Sequence, residues 1–147
     1  MFMRRLKRFL SLTSGDRRLL IRALLTVGVA RVALWILPFN GARRIVTQVA
    51  GAPKRLPVER LIWAVKTASP YLPQASCLTQ ALAAEALLTA AGHKSHIEIG
   101  VSKGPGQDFQ AHAWVISEDQ VVIGGPDVGR YAALPAWHTV GNGQLRQ

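Results

Sequence analysis

Up to residue 91 the apolar positions recur at three- and four-residue steps, and beyond Gly92 they alternate. Ser14 stands where a helix cap is expected and Asp16 favours the first turn, so the pattern predicts a helix from there to about Leu37, stopped by Pro38. Ala42–Ala50 reads as a second, shorter helix, ended by Gly51-Ala52-Pro53. Pro57 opens a third over Val58–Ala68, with Leu61, Ile62 and Val65 at helical spacing. Ser69-Pro70-Tyr71-Leu72-Pro73-Gln74 predicts an extended loop, because proline disfavours helix in the residue before it. The next helix starts at Cys77 and runs to Ala91, with Gly92 placed as a left-handed cap. Its Leu and Ala residues lie on most sides, as befits a buried helix that holds its first residue rigidly.

After Gly92, Ile97, Ile99 and Val101 alternate with His96, Glu98 and Gly100, the signature of a half-buried strand. Phe109–Ile116 and Gln120–Ile123 read as two more strands, joined by Ser117-Glu118-Asp119. Lys103–Asp108 and Gly125–Arg130 are loops, and Tyr131–Trp137 is expected to pack back on the sheet. Helices followed by an antiparallel meander make the expected class α+β. Within it we distinguish a basic helical extension (1–56), a core (57–139) and a polar tail (140–147).

The chain has 147 residues and a formal charge of +10, unevenly spread: residues 1–60 hold 13 Lys and Arg against Asp16 and Glu59. The remainder is nearly neutral, so the first part is a basic helical segment able to attract an acidic peptide or protein, anionic lipid or nucleic acid. Nucleic acid is disfavoured, because interleaved exposed aromatics and any groove-reading motif are missing. Ala23–Leu37 is apolar, but Arg31 interrupts it and the unbroken runs fall short of the ~20 residues of a spanning helix. A membrane surface is therefore a possible but not a favoured partner. One cysteine excludes an internal disulfide framework and fits a reducing, cytoplasmic setting. No Cys/His cluster has metal-site spacing and no glycine loop has phosphate-binding spacing, so neither metal nor cofactor is expected.

Cys77 is the chemical focus. A helix N-terminus turns unpaired N–H groups and its positive dipole end toward the sulfur, favouring thiolate over thiol. The strand-like Ala111-His112-Ala113-Trp114-Val115 follows 35 positions later and offers an imidazole as proton carrier. Trp114, two residues on, shares the face of His112 and either walls a site or packs in a core. Gln74, in the approach to Cys77, is a weaker candidate for an oxyanion donor than the Cys77 N–H itself. His93, His96 and His138 read as surface or packing residues. Gly104–Gly106 is either a flap or an ordinary hairpin connection.

A cysteine on a helix followed by a histidine on a strand is the order of transglutaminase-like enzymes, related in arrangement to papain-like proteases. More narrowly, Cys77-Leu78, Ala91-Gly92-His93-Lys94, Ile97-Glu98-Ile99-Gly100-Val101, Ala111–Val115 and Val121-Val122-Ile123-Gly124-Gly125 together resemble the B2 peptidase of lasso-peptide biosynthesis. The resemblance covers about residues 58–138. It implies a transglutaminase-like core in which Cys77 is the nucleophile and His112 the proton carrier. It also implies removal of the leader from a precursor peptide, beside a separate B1-type leader-recognition protein and upstream of an ATP-dependent lasso cyclase.

Such sites usually orient the histidine with an Asp on the next strand, but Val121–Gly125 contains no carboxylate. Asp127 is the nearest downstream candidate; Glu118 and Asp119 fit a solvated turn, and a backbone carbonyl or amide is a further way to orient His112. Two other functions share these residues: acyl transfer to an amine through the same thioester, and a non-enzymatic basic adaptor for membrane or protein.

Overall fold

The computed structural model describes residues 2–51, 55–103, 106, 108–125 and 131–133. Five helices precede a small antiparallel sheet: α1 (Phe2–Leu10), α2 (Ser14–Ile36), α3 (Phe39–Ala50), α4 (Val58–Ala68), α5 (Cys77–Ala90), then β1 (Ser95–Lys103), β2 (Phe109–Ser117), β3 (Gln120–Ile123) and β4 (Ala132–Ala133). The sheet order is β3-β2-β1-β4, so the expected meander is present and a two-residue strand after Tyr131 closes its far edge. Helices in one block and strands in the next give the α+β class read from the pattern.

Several boundaries differ from the sequence reading, each for a local reason. Thr13, not Ser14, caps α2: its hydroxyl accepts the Asp16 N–H at 3.2 Å and donates to the Asp16 carboxylate at 2.8 Å. α3 starts three residues earlier than expected, because Pro38 both stops α2 and serves as the extended residue before Phe39. Ser69–Tyr71 is a 3-10 turn and not extended chain: Pro70 sits in its first turn, where the missing N–H costs nothing. α1 is a separate basic helix that the pattern did not resolve. Gly92, at φ +88°, ends α5 as expected, with the His93 N–H reaching back to the Leu88 carbonyl at 2.9 Å.

One apolar cluster holds the molecule together. Val27 of α2, Val46 of α3, Leu61 and Val65 of α4, and Leu82, Leu87 and Leu88 of α5 meet Ile97, Ala113 and Val115 of the sheet. α5 is buried from Ala81 to Leu88 because helices lie on one side of it and the sheet on the other. By length and composition α2 is long and apolar enough to cross a membrane, with a mean hydropathy of 1.9 in its richest stretch, so Arg31 interrupts it less than the short runs suggested. Part of that apolarity belongs to the core: Leu19, Leu20, Ala23, Thr26, Val27, Ala30 and Ala33 form its buried stripe.

Basic residues of the first helices also bind their own fold. Arg43 of α3 makes a two-pronged ion pair with Glu85 of α5, at 2.6 and 3.0 Å. Arg31 of α2 donates to the Gln74 side-chain carbonyl at 2.7 Å, and Arg60 of α4 pairs with Asp16 at the start of α2. The positive charge of the first 60 residues is thus partly spent on pinning helices together, and Arg43 in particular anchors the helix that begins with Cys77.

Candidate active site

Cys77 is the first residue of α5, as the sequence reading placed it. Ser76 caps that helix, accepting the Thr79 N–H at 3.3 Å while the two hydroxyls lie 3.0 Å apart. The thiol is half-buried and packs against the apolar cluster. The preceding segment is unusual: Gln74 takes a left-handed conformation at φ 59°, a region a side chain seldom occupies, and its side-chain Oε1 accepts from Arg31. An open depression of about 350 Å³ adjoins this segment, lined by Lys66, Pro70, Leu72, Gln74, Ala75 and Gln80. A larger one of about 520 Å³ lies between α4 and the β2–β3 turn, toward the opposite end of β2 from His112.

His112 stands on β2 opposite Gly100 of β1. Its Nε2 lies 2.7 Å from the Gly124 carbonyl oxygen. A carbonyl only accepts, so Nε2 carries the hydrogen and donates, and Nδ1 of the neutral ring is left as the proton acceptor. The group that orients His112 among the described residues is therefore backbone, from the very stretch where a carboxylate was missing. Asp127, the sequence candidate for that role, lies outside the described residues.

Glycine at 124 is required by geometry. Its φ is +117°, and a β-carbon there would fall 2.3 Å from Cβ of Trp114. No aspartate side chain fits at this position, which explains how the strand orients a histidine without one.

Trp114 shares the His112 face, as its two-residue offset predicted, and is 2% exposed. Its indole N–H donates to Glu98 at 3.0 Å, and the ring passes over Gly100, where a β-carbon would sit 2.6 Å away. Tyr131 completes the wall, stacked on His112 with ring centroids 5.0 Å apart. The sequence reading missed this tyrosine. Only the pairing of Ala132 and Ala133 with Val101 and Gly100 brings it there, and a two-residue strand leaves no periodic signal.

The chain leaves α5 at Ala90, turns at Gly92 and enters β1 at Ser95, opposite Ser117. Cys77, at the other end of α5, accordingly lies toward the end of the sheet where Gly100 pairs with His112. Alternation along the strands turns Ile97, Ala113 and Val115 toward the helices, and Glu98, His112 and Trp114 toward the other face. Among the described residues the Cys77 thiol makes no hydrogen bond, to His112 or to any other group, so the expected thiol–imidazole contact is not formed in this arrangement.

Residues 23–136 match the family described as the transglutaminase-like superfamily. The chain belongs to that superfamily. The match begins inside α2, so the part of α2 from Ala23 on and all of α3 fall within the transglutaminase-like region together with Cys77 and His112. Comparison with curated proteins gave no match, and comparison with solved structures gave none either. Transglutaminase-like proteins are usually cysteine-based enzymes, and this fold is compatible with peptidase or acyl-transfer chemistry.

The fold disturbs the ionisation of Glu85, eight positions after Cys77. Burial raises its carboxyl above the ordinary glutamate value, and the hydrogen bond and charge of Arg43, with a smaller contribution from His96, only partly offset this. His93 and His96 make polar contacts within the fold: His93 Nε2 lies 2.7 Å from the Leu56 carbonyl, and His96 Nε2 3.4 Å from Glu98.

Proposed function

We propose that this protein is a cysteine peptidase that removes the leader from a ribosomally made lasso-peptide precursor, beside a separate B1-type leader-recognition protein and upstream of an ATP-dependent macrolactam cyclase. The observation that carries the catalytic part is the 2.7 Å approach of His112 Nε2 to the Gly124 carbonyl oxygen, which makes Nε2 the donor and leaves Nδ1 free to take a proton in the neutral tautomer. The peptide-specific part rests on the resemblance of the Cys77-Leu78, Ala91–Lys94, Ile97–Val101, Ala111–Val115 and Val121–Gly125 segments to the B2 peptidases.

In this reading Nδ1 of His112 takes the Cys77 proton, and the thiolate attacks the carbonyl carbon of the scissile bond. The thiol–imidazole contact is not made in the arrangement described above, so this reading requires it to form when substrate binds. The tetrahedral oxyanion is met by backbone N–H groups at the start of α5. Nδ1–H then protonates the departing amine, leaving the leader as a Cys77 thioester. Water, deprotonated by Nδ1, attacks that thioester, releasing the leader carboxylate and restoring the thiol. The depression beside Gln74 is a route for substrate toward Cys77.

The test is mass spectrometry of the precursor after incubation with the leader-recognition protein and wild type, Cys77→Ala or His112→Ala. Cleavage at one bond by wild type alone is expected. Retained cleavage by Cys77→Ala overturns the reading, and a product in which an amine has joined the acyl group, with no water added, assigns acyl transfer instead.

A further inference from the structure

α2 is apolar on two opposite faces, and its own domain covers only one of them. Opposite the buried stripe, Ile21, Leu24, Leu25, Val32, Trp35 and Ile36 recur at helical spacing and all are exposed; Trp35 is 80% and Ile36 67% accessible. The row continues onto α3 through Ile45 and Val49, also exposed and one turn apart. Such a surface is far more apolar than a helix facing water needs to be.

The charge around it says what covers it. Arg18 and Arg22 line a depression of about 280 Å³ together with Ile21, Leu25 and Val49, so two guanidinium groups stand over an apolar floor. Arg44 lies exposed beside Ile45. Unlike Arg31, Arg43 and Arg60, which are engaged within the fold, these arginines flank the uncovered face. Residues 17–50 hold no acidic side chain, so the same face of a second copy offers Arg18 and Arg22 no carboxylate to pair with.

We propose that the exposed face of α2 and α3 lies on an anionic lipid surface, with Leu25, Trp35 and Ile36 entering the headgroup and acyl boundary and Arg18 and Arg22 on lipid phosphates. Apolar side chains on one face with arginines at its rim are the pattern of a helix lying in the plane of a membrane interface. The inference is independent of the peptidase reading, since neither Cys77 nor His112 takes part.

The test is flotation of the full chain with vesicles of phosphatidylcholine alone and of phosphatidylcholine mixed with phosphatidylglycerol. The chain is expected to float with the mixed vesicles at low salt, to leave them as salt rises, and to ignore the neutral ones. Arg18→Gln with Arg22→Gln weakens binding about thirtyfold at low salt, from ~1 kcal/mol per basic residue near an anionic surface. Trp35→Phe still binds but loses the blue shift of tryptophan fluorescence that wild type shows on binding. Leu25→Glu with Trp35→Glu melts as wild type does and stays in the aqueous fraction; should that pair fail to fold, the arginine and phenylalanine variants decide.

Absence of binding to mixed vesicles overturns the proposal. So does equal binding by the arginine variant, or a dimer in lipid-free solution that Trp35→Glu dissociates, which would assign the face to a second copy.

Discussion

His112 is oriented by the backbone of Gly124, through a 2.7 Å hydrogen bond from Nε2 to the carbonyl oxygen. A backbone carbonyl carries no net charge and does not titrate. It fixes the ring and its tautomer without adding a carboxylate to stabilise the imidazolium, so this histidine is placed by geometry more than by charge.

The first prediction follows from that bond. Gly124→Ala puts a β-carbon 2.3 Å from Cβ of Trp114 at a φ of +117°. The strand must shift, at a cost on the order of 1–3 kcal/mol. The change should lower the thermal midpoint and release the ring, so that nitrogen-15 spectra of His112 move from a single Nε2–H tautomer toward a mixture. Unchanged spectra and stability would show that Gly124 does not hold the ring.

Stacking on Tyr131 restricts the other degree of freedom of His112. The ring, and not the hydroxyl, makes this contact. On the proposed peptidase reading, Tyr131→Phe should therefore retain cleavage close to wild type, while Tyr131→Ala loses about tenfold in kcat/KM, from ~0.5–1.5 kcal/mol per aromatic pair. Equal loss in both variants would assign the role to the hydroxyl.

The Arg43–Glu85 pair gives a prediction about pH. Glu85 is 2% exposed and its carboxyl is raised by burial, so between its unfolded and folded values the native state holds more protons than the unfolded one. Its contribution to stability is then fullest below the unfolded value and declines as pH rises through the folded value. Arg43→Met removes the partner of a buried carboxylate and should destabilise by about 3–5 kcal/mol at neutral pH. That loss should shrink as the pH is lowered and Glu85 becomes neutral, and Arg43→Met with Glu85→Leu should recover most of it. Urea unfolding at neutral and acid pH measures both; a loss independent of pH would contradict the mechanism.

Gln74 offers a fourth test. At φ 59° a glycine meets less steric opposition than glutamine, while Arg31 holds only the side-chain carbonyl. Gln74→Gly should leave stability within about 1 kcal/mol of wild type, because relief of the backbone and loss of an exposed hydrogen bond oppose each other. Unfolding midpoints check this, and a larger loss would make the Arg31 bond the dominant constraint on the segment before Cys77.

What could be read along the chain was whatever a local stretch decides by itself. Three- and four-residue spacing predicted α2 to α5 with Cys77 at the start of the last, and the change of period beyond Gly92 predicted β1 to β3. Even the gap in Val121–Gly125, where a carboxylate was expected, was visible as a gap. Tertiary structure decided what no local stretch encodes: that a carbonyl fills this gap, that Tyr131 stacks on His112, that Arg31 and Arg43 serve the fold, and that one apolar face of α2 is left uncovered. Periodicity and caps act over one or two turns of chain, whereas these contacts join residues far apart in sequence, and their partners are set by how helices and strands pack.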